Sequence, residues 1–164
     1  MTKIDPDLRE RLESIYEEVM WLARRPHVSA GCARAWYTHI MAEGVKRRLR
    51  LFTGKVSRMA ANTPDAVLRL EHYLRIQTAL TQFVERHKAL AKPMPAEFVK
   101  LLIAHEQVHI VTFAENYAAM KAGGDYKLAG IKLVAWRNIP GERRSELWRK
   151  MLRGKVANAS EYAV

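Results

Sequence analysis

The sequence predicts a mainly α-helical protein, built as a compact bundle of about five to six helices. Apolar residues recur at helical spacing in several segments, and two of these segments open with an N-cap residue followed by proline, at Asp5-Pro6 and Thr63-Pro64. The chain has 164 residues, of which 49% are hydrophobic and 27% charged, which is enough for one domain with a substantial core. We therefore expect a single helical domain over residues 1–156 and a flexible tail over residues 157–164.

Four helices are predicted in the first two thirds of the chain. The first begins at Asp5-Pro6, carries apolar residues from Leu8 to Leu22, and ends before Pro26. The others span about 30–51 with a short helical extension to 60, then 64 to about 90, and then from about 96 onward. Pro93 and Pro95 separate the last two, because proline interrupts a helix interior but suits a first turn.

Residues 96–136 allow two interpretations. In one, a single helix runs unbroken to Lys121. In the other, the helix ends near Glu106 and residues 108–111 form a buried strand, which their β-branched composition favours. Thr112 and Glu115 then form a capping box that begins a new helix, and a second apolar run at 131–136 completes a short two-strand parallel crossover unit near residues 107–136. A last helix is predicted over residues 142–155.

Several protein classes are disfavoured by composition. The chain has no run of about 18 apolar residues, so no membrane span is predicted. Its first residues lack the apolar core of a signal peptide. The single cysteine, Cys32, has no partner for an internal disulfide. Together these features predict a cytoplasmic protein.

The net charge of +11 is distributed in two blocks. Residues 26–63 hold seven basic and one acidic side chain, and residues 121–164 hold ten basic and four acidic ones. Residues 1–25 have a net charge of −1 and residues 64–120 a net charge of zero. Such clustering is typical of a surface that neutralises phosphates. In a protein whose surface is basic without a binding role, the positive charges would be spread evenly along the sequence.

The two blocks supply the candidate nucleic-acid contacts. The first block consists of Lys46, Arg47, Arg48, Arg50, Lys55 and Arg58, and the second of Lys132, Arg137, Arg143, Arg144, Arg149, Lys150, Arg153 and Lys155. Arginine predominates, and its planar guanidinium suits phosphate recognition. Four nearby aromatic residues are candidates for stacking on bases, although large aromatics more often anchor a core: Trp36, Tyr126, Trp136 and Trp148.

One short motif predicts a different chemistry. His105-Glu106-Gln107-Val108-His109 matches the H-E-x-x-H pattern of zinc metallopeptidases, in which two histidines one helical turn apart bind zinc and the glutamate is the general base. His105 and His109 are thus alternative metal ligands and Glu106 an alternative catalytic residue. A third ligand is not evident, and the pattern arises easily by chance. If Thr112 caps a new helix, His109 lies in a strand and the required spacing is lost.

The sequence therefore predicts a nucleic-acid-binding protein that contacts mainly the phosphate backbone, with no cofactor and either DNA or RNA as partner. A small subunit or accessory factor of a nucleoprotein complex is one form of this function. Two alternatives remain: a zinc-dependent metallopeptidase, and a helical interaction module that pairs with another protein or a second copy. No resemblance to a known family covers the chain beyond the five-residue zinc pattern.

Overall fold

The computed structural model of the protein describes residues 4–164. Within that range it contains eight α-helices and four strands, so the fold is a mixture of helices and sheet. The helices are α1 (Pro6–Ala23), α2 (Ala30–Trp36), α3 (Lys46–Leu49), α4 (Arg58–Asn62), α5 (Ile76–Lys88), α6 (Pro95–His105), α7 (Phe113–Lys121) and α8 (Gly141–Leu147). The strands are β1 (Leu51–Ser57), β2 (Leu68–His72), β3 (Gln107–Thr112) and β4 (Leu133–Ala135). The prediction of a mainly helical bundle is wrong.

The chain divides into two compact units. The first combines the described part of Met1–Leu49 with Arg75–His105 and is entirely helical. Its core is formed by the apolar faces of α1, α2, α5 and α6. A buried histidine, His87, ties these helices together, because one ring nitrogen meets the Tyr16 hydroxyl at 3.1 Å and the other meets the Glu97 carboxylate at 3.1 Å.

The second unit combines Arg50–Leu74 with Glu106–Val164 and contains the sheet. The strand order is β2-β3-β1-β4. Strand β1 pairs parallel with β3 and antiparallel with β4, whereas β2 pairs antiparallel with β3. The sheet is therefore mixed, and β3 has a neighbour on both sides, in keeping with its almost continuous burial.

The pairing of β1 with β3 contains a bulge. The register between β1 and β3 shifts between Phe52 and Val56, and Gly54 within that interval has φ +74°. Glycine adopts this left-handed conformation without the steric cost that a Cβ imposes. Phe52 and Val56 both point into the core of this unit, where they join Val108 and Ile110 of β3.

The C-terminal residues contact β1. The backbone N–H of Ala157 donates to the Arg50 carbonyl at 2.8 Å. Asn158 bonds both backbone groups of Phe52, accepting from its N–H at 2.9 Å and donating to its carbonyl at 3.0 Å. The Tyr162 hydroxyl also donates to the Phe52 carbonyl, at 3.2 Å. The segment for which the sequence predicts a flexible tail thus meets the sheet in three places.

Three sequence predictions about local structure are wrong. The helical extension over residues 51–60 is strand β1 followed by the short helix α4, and the helix predicted over 64–90 begins only at Ile76, after strand β2. The crossover unit is also wrong, because β3 and β4 each pair with β1 and not with one another. The predicted strand at β3, the capping box of Thr112 and Glu115, and the first helix over Pro6–Ala23 are confirmed.

Candidate nucleic-acid interface

The histidine–glutamate motif does not form the helical turn that zinc peptidases use. Helix α6 ends at His105, whose Nδ1 lies 2.9 Å from the Leu101 carbonyl oxygen. His109 belongs to β3, so the two histidines are not successive positions on one helix face. Among residues 4–164, no group of three or more histidine, cysteine, aspartate or glutamate side chains could hold a metal ion. The residues present therefore do not fit the zinc site that the motif predicts.

Glu106 instead forms a buried ionic cluster. Its carboxylate is almost wholly buried and meets His72 Nε2 at 2.9 Å and Arg50 Nε at 3.3 Å. Burial raises the pKa of Glu106, but the hydrogen bonds and positive charges of His72 and Arg50 outweigh it, so the pKa lies below its ordinary value. Arg50, one of the predicted phosphate contacts, is therefore engaged in an internal ion pair.

His109 lies on the face of the sheet opposite the apolar core. Its Nδ1 contacts the Thr53 hydroxyl, while its Nε2 is buried without a hydrogen-bond partner among the described residues. The rings of Tyr73 and Tyr126 lie against it, with centroids 5.4 Å and 5.6 Å away. Burial, with a smaller contribution from the positive charge of Lys55, lowers the pKa of His109 to about 4. The ring is thus neutral at pH 7.

The N-terminal part of the first basic block lies in the helical unit. Lys46 forms an ion pair with Glu43, and Arg48 bonds the carboxylates of both Asp5 and Asp7. Arg47 is exposed. The carboxyl partners reduce the charge that Lys46 and Arg48 offer to a phosphate.

The remainder of the first block meets the second block at the pairing of β1 with β4. Lys55 lies opposite Ala135 in the antiparallel register, and the backbone N–H of Arg58 donates to the Lys132 carbonyl at 2.7 Å. All four basic side chains at this pairing are exposed, and we call them the β1–β4 basic surface: Lys55, Arg58, Lys132 and Arg137. Residues about 80 positions apart in sequence thereby contribute to one part of the second unit.

A cavity of about 290 Å³ opens beside two of these cations. It is lined by Arg58, Met59, Asn62, Thr63, Glu115, Gly130 and Lys132. Its volume is near the lower end of the range for small-molecule sites, about 300–1,000 Å³. One carboxylate oxygen of Glu115 accepts hydrogen bonds from the Ser57 hydroxyl, the Thr112 hydroxyl at 3.0 Å and the Thr112 N–H at 2.9 Å. This side chain is therefore held in place at the cavity.

The basic residues near α8 differ widely in their surroundings. Arg143 is buried, and its guanidinium donates to the carbonyls of Ala60 at 2.6 Å and Thr63 at 3.0 Å as well as to Glu146. Lys150 also pairs with Glu146, at 2.6 Å. The remaining four predicted contacts keep some exposure: Arg144, Arg149, Arg153 and Lys155. Arg143 therefore anchors α8 to α4 and is not presented to solvent.

The aromatic residues singled out from the sequence are mostly packed inside the protein. Trp136 is buried against Phe52, and the Trp148 indole N–H donates to the Ala159 carbonyl at 2.8 Å. The Tyr126 hydroxyl donates to Glu71. Trp36, in the helical unit, is 43% exposed. The sequence analysis missed Phe113 and Tyr117, the exposed aromatic residues of α7, although their spacing of four residues is visible in the sequence.

Comparison of the chain with models of known protein families, with curated proteins and with solved structures finds no match. Over residues 4–164, none of the helices has both the length and the apolar character needed to cross a bilayer.

Proposed function

We propose that the protein binds nucleic acid, mainly through the phosphate backbone, and that the β1–β4 basic surface is the principal contact. The observation that carries the proposal is the meeting of the two basic blocks at the β1–β4 pairing, where Arg58 and Lys132 line one cavity. A backbone hydrogen bond joins Arg58 to Lys132, so the two cations extend from adjacent backbone positions and can contact neighbouring phosphates.

The charge of the sheet unit supports this proposal. Arg50–Leu74 and Glu106–Val164 together hold 14 lysines and arginines against eight aspartates and glutamates, a net charge of +6. Two of the acids are paired within the fold, Glu106 with Arg50 and Glu146 with Arg143 and Lys150. Without these five residues the unit still holds 11 basic side chains against six acidic ones. Phosphate contacts position a protein on nucleic acid without reading its sequence, so we expect weak sequence preference.

We further propose that the protein is cytoplasmic. Within the fold, Arg50 and Arg143 have structural roles and are not phosphate contacts. Both guanidinium groups are engaged by internal partners. The contacts to phosphate then come from Lys55, Arg58, Lys132 and Arg137, supplemented by the exposed basic residues after α8.

A charge-matched pair of variants tests the proposal. The double variant Arg58→Gln/Lys132→Gln removes two positive charges beside the cavity, and Lys88→Gln/Lys100→Gln removes two exposed charges from the helical unit. We expect the first to weaken binding of a labelled mixed-sequence oligonucleotide about tenfold or more, and the second to change it less than threefold. Fluorescence anisotropy at fixed ionic strength gives both affinities.

Equal losses in the two double variants would show that only net charge matters and would contradict the assignment of the surface. Failure of the wild-type protein to bind any oligonucleotide at low salt would overturn the proposed function. An oligomer that persists after nuclease treatment, together with no oligonucleotide binding, would favour an interaction module instead.

A further inference from the structure

The outward face of α7 carries two exposed aromatic side chains. Phe113 is 53% exposed and Tyr117 is 49% exposed, and their spacing of four residues places them on one side of the helix. The opposite side of α7 faces the protein, since Ala119 is fully buried and Glu115 bonds Ser57 and Thr112. The capping box at Thr112 fixes this orientation.

Each of these two rings has a cation against it. The Arg69 guanidinium carbon lies 5.2 Å from the centroid of the Phe113 ring, and Lys121 Nζ lies 4.6 Å from that of Tyr117. We call these four side chains the α7 aromatic face: Arg69, Phe113, Tyr117 and Lys121. The single acid within α7, Glu115, directs its carboxylate to the other side, so the face combines aromatic surface with positive charge.

From these contacts we propose that the α7 aromatic face stacks the unpaired bases of single-stranded nucleic acid, an inference that rests on the proposed function. A base can lie on an exposed aromatic ring while the adjoining phosphate is neutralised by Arg69 or Lys121. The bases of a duplex are already stacked on one another and do not present a free face to these rings. The face therefore selects single strands over duplexes.

The charge of the α7 aromatic face favours this occupant over an apolar protein partner. Arg69 and Lys121 lie over the two rings, so the phosphates of a strand whose bases stack there would come close to both cations. An apolar partner would gain nothing from the two cations that lie over the rings, and would have to desolvate them.

A second exposed aromatic in the same kind of setting provides the control. Trp21, on α1 of the helical unit, is 60% exposed and has the Arg25 guanidinium 4.6 Å from its ring centroid. The test compares Phe113→Ala/Tyr117→Ala with Trp21→Ala, each measured against a 20-nucleotide single strand and a 20-base-pair duplex. Circular dichroism melting checks that both variants remain folded.

We expect the double variant to bind the single strand at least tenfold more weakly and the duplex within about twofold of wild type, because stacking on each of the two side chains contributes about fivefold or more. Trp21→Ala should leave both affinities unchanged. The conservative variant Tyr117→Phe keeps the ring and should retain single-strand binding. The slope of affinity against salt should stay the same in the aromatic variants, since no cation is removed.

The two proposals fail in distinguishable ways. If wild-type protein binds single strand and duplex equally and the aromatic variants match it, the stacking inference is wrong while phosphate binding stands. Equal losses for single strand and duplex in the double variant also overturn stacking, because they indicate a general structural effect. If wild-type protein binds neither probe, both proposals are wrong. Loss of a wild-type dimer in the double variant, with oligonucleotide affinity unchanged, would identify the face as a contact between copies.

Discussion

His109 is expected to make the protein less stable in mild acid. Its pKa is lowered to about 4 in the folded protein, by burial first and by the charge of Lys55 second, whereas the ordinary value in an unfolded chain is about 6.5. Above pH 6.5 both states hold a neutral ring, so the free energy of unfolding is unaffected there. Between pH 6.5 and pH 4 the unfolded chain binds a proton that the folded protein does not, and stability falls.

The size of this effect follows from the difference between the two pKa values. A shift of about 2.5 units at about 1.36 kcal/mol per unit corresponds to about 3 kcal/mol of stability lost on going from pH 7 to pH 4. That is a large part of the 5–15 kcal/mol by which a typical domain is stable, so the effect is measurable by urea unfolding.

The variant His109→Gln isolates this contribution. The substitution lowers stability at pH 7 because it changes a buried side chain, but it removes the titrating ring. The stability difference between wild type and variant, measured at pH 7, 6, 5 and 4, should therefore move by about 3 kcal/mol in favour of the variant. A nuclear magnetic resonance titration of the ring protons should give one histidine with a pKa near 4. The variant Lys55→Met should raise that pKa only slightly, since burial is the larger cause of the shift. A difference that stays constant with pH, or a His109 ring that titrates near 6.5, would refute the reasoning.

Three other substitutions test structural assignments. Glu106→Gln should lower the free energy of unfolding by about 1–3 kcal/mol, because it leaves the partly buried Arg50 guanidinium without its carboxylate, while a metal chelator should leave the melting temperature of wild type unchanged. Arg143→Gln should cost about 2–4 kcal/mol in chemical denaturation and Arg137→Gln less than about 0.5 kcal/mol, since only the first side chain is buried and bonded to backbone carbonyls. Gly54→Ala should lower the free energy of unfolding by about 1–2 kcal/mol in chemical denaturation, because a residue with a Cβ is strained at φ +74° and that Cβ would lie 3.2 Å from the Tyr162 hydroxyl. An unchanged denaturation midpoint would argue against the bulge.

Segments whose signals are local could be predicted from the sequence. Strand β3 and helix α7 are an example, because the capping box of Thr112 and Glu115 favours a helix that begins at Phe113. The run of β-branched residues before that cap favours a strand over the alternative of one unbroken helix. Helix α1 is similar, since Asp5 caps it and proline occupies its first position.

The sequence of strand β2 shows the alternation of a strand, but the Thr63-Pro64 pair before it favoured a helix. Leu68 and Leu70 alternate with Arg69 and Glu71, which is the pattern of a strand with one buried face, and both leucines pack against the core. The Thr63-Pro64 pair suggested a helix beginning there, but Thr63 is the C-cap of α4.

Strand β1 was harder to detect because it follows directly on the basic segment of α3 and contains Gly54. A glycine within a strand weakens the prediction of that strand.

The candidate site depends on tertiary contacts that no local pattern specifies. The sequence predicted two separate basic blocks, but the register of Lys55 with Ala135 is what brings part of each together. The burial of Arg143 was equally hidden, because its partners are the carbonyls of Ala60 and Thr63, about 80 positions earlier in the chain. Charge in a sequence indicates how many cations exist, whereas the fold decides which of them face a ligand.

The dependence of nucleic-acid affinity on salt tests the central claim most directly. If Lys55, Arg58, Lys132 and Arg137 neutralise about four phosphates, a plot of log affinity against log salt concentration should have a slope of about −3 for a mixed-sequence single strand, and a steeper one when further cations contribute. Wild-type protein purified free of nucleic acid should show a slope at least this steep between about 50 and 200 mM salt, and Arg58→Gln/Lys132→Gln should reduce its magnitude by about 1.4. An affinity that barely changes over this range would contradict phosphate binding by the basic surface.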